Sequence, residues 1–185
     1  MLENHAEIIK GRAVVADDWT VLRLDEGQAA LDAVVPPGKV IVPLTVWQAQ
    51  RDALASRAAI GVWIASDERP EALKGELDKF AVVAVDFPKF TDGRGYSIAY
   101  NLRMRLGYTG ELRAIGDVLR DQLFAMQRVG FDAYATRQDR SIHDALKGLT
   151  VFSEVYQTSV DIKSPCSAAR RATSALETSD VGFGI

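Results

Sequence analysis

The chain has 185 residues and a mass of 20.2 kDa, with 22 Lys+Arg against 25 Asp+Glu, a formal net charge of -3 and 48% hydrophobic residues. A globular chain of this size buries roughly 70% of the surface its unfolded form exposes, so it folds without disulfide staples or a structural metal. The lone cysteine, Cys166, excludes an internal disulfide. Met1–Gly11 lacks a leader pattern, and no apolar run approaches the ~18 residues of a membrane span, so a cytoplasmic location is expected.

In chain order, Ala6–Ile9, Ala13–Ala16 and Thr20–Leu24 read as a short N-terminal β hairpin or meander. Pro36-Pro37-Gly38 then breaks the chain. Lys39–Val42, Gly61–Ala65, Ala81–Val85, Leu112–Ile115 and Phe131–Ala135 are short, largely apolar runs with the character of buried strands. Helix-length segments lie between them. Thr45–Arg57 carries an apolar stripe of Val46, Trp47, Leu54 and Ala58; Tyr96–Leu106 carries Ile98, Ala99, Leu102 and Leu106; Asp117–Val129 carries Leu119, Leu123 and Met126. Leu149–Val160 is an apolar run of either kind. Past Ser164-Pro165 the composition turns to Ala, Ser, Thr and Gly, so one α/β domain over residues 1–173 is expected to precede a flexible tail at 174–185.

Strands separated by single helices should be parallel, because only a right-handed crossover of helix length joins parallel neighbours. The expected fold is therefore an α/β, five-stranded, mainly parallel sheet with alternating helices. An open three-layer form is favoured over a partial (β/α) barrel, which would leave two edges for the N-terminal meander or a second chain to cover. Homo-oligomerisation stays open.

Charge is unevenly spread. Residues 1–93 sum to -5, residues 94–140 to +3 and residues 141–185 to -1, and every base in the middle block is an arginine. Arginine's planar fork suits carboxylates and phosphates, which makes the block a candidate recognition face. The bland alternative is a set of solvated helix faces paired with Asp117, Asp121 and Asp132. Neither the overall balance nor an aromatic-and-basic pattern supports nucleic-acid binding.

In a parallel sheet the carboxyl ends of the strands share one rim, where ligands gather. That rim should display Pro43, Ser66, Asp86, Asp117 and Arg137, with the polar loop Phe87–Tyr96 as its longest part. Asp86, at a strand end, is the candidate catalytic acid or base. Lys89, Asp92, Arg94, Tyr96, Arg113, Asp117, Arg120 and Arg137 are the candidates for holding an anion or a partner, with Asp92 and Asp117 equally readable as helix caps. Gly93-Arg94-Gly95 lacks the third glycine of a dinucleotide fingerprint. His5 and His143 are far apart in sequence, and no Cys/His spacing suits zinc or an iron–sulfur cluster, so no metal site is expected.

The run Asp86-Phe87-Pro88-Lys89-Phe90-Thr91-Asp92-Gly93-Arg94-Gly95-Tyr96-Ser97, with Gly110–Ala114, Gly116–Leu123 and Gly130–Tyr134, resembles the bacterial domain-of-unknown-function family 934 over most of the chain. Members are often labelled oxidoreductases and are encoded beside the haemoprotein of assimilatory sulfite reductase. The resemblance implies a role in sulfur assimilation and supplies no catalytic residues. No flavin, nicotinamide, haem or cluster motif accompanies it, so no cofactor is expected. The leading expectation is an accessory protein that docks on the sulfite reductase haemoprotein or its electron donor. The alternatives are a small enzyme or oxidoreductase with an anion site at the strand ends, and an anion- or nucleotide-binding regulator.

Overall fold

The computed structural model describes residues 1–152 and 155–162. Nine strands form one sheet: β1 (Leu2–Asn4), β2 (Glu7–Lys10), β3 (Ala13–Ala16), β4 (Thr20–Leu22), β5 (Val40–Pro43), β6 (Ile60–Ile64), β7 (Val82–Phe87), β8 (Glu111–Gly116) and β9 (Ala133–Tyr134). Their spatial order is β1-β4-β5-β6-β7-β8-β9-β2-β3. From β4 to β9 each strand runs parallel to the next, while β1, β2 and β3 pair antiparallel.

The sheet is curled into a half-barrel, and chain length alone demands curvature. Only His5 and Ala6 separate β1 from β2, so Asn4 and Glu7 lie within about 11 Å. The two strands are seven positions apart in the sheet, which laid flat at about 4.8 Å per strand would be about 34 Å. The sheet must bend until that two-residue link can span from β1 to β2. Asp17 N–H donates to the Ala6 carbonyl at 3.1 Å and links the two crossing segments.

Five helices complete the fold: α1 (Leu44–Ala49), α2 (Arg51–Leu54), α3 (Arg94–Met104), α4 (Arg120–Arg128) and α5 (Ile142–Leu146). Their buried side chains, among them Trp47, Leu54, Ile98, Leu102, Leu123 and Met126, join one core with Val42, Val62, Val83, Phe87 and Leu112 from the convex side of the sheet. The alternate strand residues point the other way. Val21, Ile41, Val82, Ala84 and Ile115 form a second, smaller cluster on the concave side with Ile8 and Ala135, flanked by Trp19 and Trp63, and no helical residue enters it. Both faces of the parallel strands are dry, which is why their sequences read as continuous apolar runs rather than as alternation.

These findings correct the expected architecture. The sheet has nine strands and is mixed, not five-stranded and mainly parallel, because the N-terminal segments join it instead of lying over it. Edge N–H and C=O groups need partners, and β1 and β2 supply them to β4 and β9. Thr20–Leu22, expected in the meander, is the first of the parallel strands. Helices cover one face only, so the open three-layer form gives way to the curled one. Thr45–Arg57 divides at Gln50, whose amide donates to the carbonyls of Ala30, Leu31 and Ala33. The run Leu149–Val160 contributes only the end of a 3-10 turn, Lys147–Thr150, in its described part. Cys166 and the tail at 174–185 lie outside the described residues. Among the described residues no helix is long and apolar enough to cross a membrane.

Candidate functional site at the strand ends

Asp86 is the second-last residue of β7 and shares the concave side with Val82 and Ala84. It is 9% exposed, and its Oδ1 accepts a hydrogen bond from Arg23 Nη2 at 2.8 Å. Arg23 Nε donates to Glu3 Oε2 at 2.5 Å, and its guanidinium lies over the Trp63 ring, 5.3 Å from the centroid. Glu3 Oε1 pairs in turn with His5 Nε2 at 3.1 Å. Asp86, Arg23, Glu3 and His5 thus form one chain of contacts from β7 to the seam between β1 and β2. Gly116 makes room for it: the residue has φ +91, and a Cβ there would sit 2.5 Å from the Phe87 carbonyl oxygen and 2.8 Å from Asp86 Oδ1. The hydrogen bond from His5 and, against the burial penalty, that from Arg23 hold the Glu3 carboxyl down to about 2.

The loop from Phe87 to Tyr96 lies beside this chain and is stiff for identifiable reasons. Asp92 Oδ1 accepts from the Arg94 backbone N–H and Nε, and Asp92 Oδ2 from Arg94 Nη2, at 3.1, 3.0 and 2.7 Å. Those bonds hold the Asp92 carboxyl well below the usual carboxylate range. Arg94 Nη2 also donates to Ser66 at 2.8 Å. At the tip, the Phe90 N–H donates to Asp117 Oδ2 at 2.8 Å and the Phe90 carbonyl accepts from Gln122 Nε2 at 3.1 Å, while the residue is 45% exposed. Tyr96 stacks edge-on against buried Phe87, centroids 5.5 Å apart. Lys89 is exposed.

The remaining sequence candidates divide. Asp117 and Arg137 meet at the rim, 3.1 Å apart, and Arg137 also grips Asp139 through Nε and Nη2. Asp117 does not open α4, which begins at Arg120 with the Leu119 N–H bonded to Gln122 Oε1, so the expected cap is replaced by a clamp on Phe90. Arg120 pairs with Asp144 of α5 at 3.0 Å, away from the loop. Arg113 is 1% exposed: its fork binds Asp17 at 2.9 and 3.0 Å and Glu111 at 2.7 and 2.8 Å on the concave side. Such a side chain has no surface to offer a partner. Arg103 and Arg128 are likewise paired, with Asp132 and Asp161. The arginine block is therefore mostly a set of internal ties: Asp117 and Asp132 are partners as expected, Asp121 pairs with no arginine among the described residues, and Asp17, Glu111, Asp144 and Asp161 serve as well.

Glu3, Arg23 and His5 were not among the sequence candidates. Glu3 and His5 are two apart in an extended segment and share a face, a signal available in principle. Arg23 carries none, because its partner lies 63 residues away.

A cavity of about 370 Å³ adjoins the seam, lined by Asn4, His5, Ala6, Glu7, Thr136, Arg137, Gln138, Arg140 and Ile142. A second, of about 520 Å³, lies between the starts of α4 and α5 and shares Thr136 and Arg140 with the first. Among the described residues no group of three or more His, Cys, Asp or Glu side chains could hold a metal ion.

The fold and rim define an α/β protein whose polar groups converge at the carboxyl ends of a curled, partly parallel sheet. The family model described as "Bacterial protein of unknown function (DUF934)" matches residues 61–167, which hold β6 to β9, the Phe87–Tyr96 loop and α3 to α5, and the chain belongs to that family. No curated protein and no solved structure matches it.

Proposed function

We propose that the protein is an accessory factor of assimilatory sulfite reduction, which docks through its strand-end rim on the sulfite reductase haemoprotein or on that enzyme's electron donor. The observation that carries the docking part is Phe90: its N–H and carbonyl are both fixed by side chains of the next βα connection while the residue stays exposed. An aromatic anchor held in place before binding loses little entropy when it is buried, the pattern of an interface hot spot. Lys89 beside it adds a positive charge suited to an acidic partner. The placement in sulfite reduction rests on the family resemblance.

Internal pairing of the arginines narrows the reading. Arg94, Arg113, Arg120 and Arg137 already hold carboxylates, so the loop, rather than an arginine face, is the contact expected to dominate affinity. Pull-down with a tagged copy from cells, probed for the haemoprotein, is the test. Capture by the wild-type chain and its loss in Phe90→Ala, with an unchanged melting temperature, is the expected outcome. Separate elution of the two purified proteins at micromolar concentration and low salt, with sulfite reduction intact in cells lacking this chain, would refute the proposal.

A further inference from the structure

The cavity at the seam holds two polar groups that the fold leaves unused. His5 is 8% exposed and Thr136 is 6% exposed, and both line that cavity. The imidazole uses Nε2 for Glu3, and among the described residues neither its Nδ1 nor the Thr136 hydroxyl has a hydrogen-bond partner. Neither atom is sealed from solvent, since no buried side-chain nitrogen or oxygen among the described residues lacks a bond. Both side chains line that cavity, and Thr136 lines the second one as well. Polar atoms on otherwise buried side chains seldom stay unpaired without a ligand or water to meet them.

The chemistry of the pair is specific. Glu3 stays ionised across the ordinary pH range, so it accepts, and Nε2 carries the hydrogen. A ring that holds its hydrogen on Nε2 has a lone pair on Nδ1, with a carboxylate behind it to offset the charge of an imidazolium. This is the arrangement of an oriented general base. For charge on the ligand, Arg140 is the suitable partner: its side chain is 72% exposed and its one acidic contact, Asp139, is 3.8 Å away, beyond hydrogen-bond length. Arg137 and Gln138 are already engaged, with Asp117 and Asp139 and with the Asn4 carbonyl. A volume of about 370 Å³ lies at the small end for ligand sites.

We infer that this cavity is a binding and proton-transfer site for a small hydroxycarboxylic acid, with the carboxylate on Arg140, the Thr136 hydroxyl orienting the ligand, and His5 Nδ1 meeting the ligand's hydroxyl. In the proton-transfer step the hydroxyl O–H bond breaks, its electron pair stays on the ligand oxygen and the proton passes to Nδ1; return of that proton restores the site. Glu3 is a positioning residue that fixes the tautomer. Docking through Phe90 does not enter this inference, and the two fail separately.

The test is nitrogen-15 NMR of the full chain with glycolate, the smallest hydroxycarboxylate, as probe, and inorganic phosphate in a parallel titration. The expected result is hydrogen on His5 Nε2, and saturable shifts of the His5 ring and Thr136 signals on adding millimolar glycolate. Arg140→Ala, at a solvent-facing position that leaves the fold intact, should weaken glycolate about tenfold, the worth of one charge-assisted hydrogen bond. His5→Gln should retain the Thr136 shift while losing exchange broadening at the ligand hydroxyl. Hydrogen on Nδ1, unmoved signals at both residues, or saturation by phosphate alone would each overturn the inference.

Discussion

Replacing Arg113 by Met removes the cation from a site where it cannot be replaced by water. Arg113 and Asp17 side chains are 2% and 3% exposed, and without the guanidinium the Asp17 carboxylate would keep, among the described residues, only its bond from the Trp19 backbone N–H at 3.2 Å. Glu111 is better off, since Lys10 remains 2.7 Å from it. Leaving one buried charge without its partner costs about 3–5 kcal/mol. At about 2–4 °C per kcal/mol for a chain of this size, the melting temperature should fall by about 6–20 °C. Replacing both partners with apolar groups of similar volume, Arg113→Met with Asp17→Leu, should restore most of the loss, because the penalty lies in the orphaned charge rather than in the absent attraction. Urea denaturation of the two single variants and the double variant, followed by circular dichroism, measures the coupling. A single variant within about 1 kcal/mol of wild type, or a double variant no better than the singles, would refute the view that Arg113 ties β8 to the segment entering β4.

Gly95→Ala should destabilise by about 1–3 kcal/mol in the same assay, because its Cβ would fall 2.5 Å from Cζ of the fully buried Phe87 ring, outweighing the better helix propensity of alanine. Glu3, with a folded value near 2 against an ordinary 4.5, stabilises the fold above about pH 4.5 and loses that contribution as pH falls toward 2. The stability gap between wild type and Glu3→Gln should therefore be wider at neutral pH than at about pH 3, read from urea midpoints; a gap that widens on acidification has the wrong sign. Asp117→Ala frees the Phe90 N–H and leaves Arg137 with Asp139 alone, so partner capture should fall while the helical circular dichroism signal holds.

The strands β5 to β9 and helices α3 and α4 were legible in the sequence to within a few residues, because a dry strand and an amphipathic helix are written in adjacent side chains. The rim followed from the same reading, and the structure does bring Asp117 and Arg137 together beside the Phe87–Tyr96 loop, with Asp86 against Gly116. Arg113, placed with the binding residues, belongs instead to the concave interior: a strand's alternation says which residues share a face, but not whether that face is closed over. Leu2–Asn4 is too short to show a period of its own and becomes a strand only because β4 lies beside it.

What the sequence by itself determined is local: where the chain turns, which residues are dry, and which family the central run marks. The tertiary structure alone decided the curl, because it arises from two residues that must bridge opposite ends of a sheet, a constraint visible only once the strand order is known. That closure also decided the chemistry of the seam. There Arg23 links Asp86 to Glu3, Glu3 links on to His5, and electrostatic partnership depends on distance in space, to which separation along the chain is no guide.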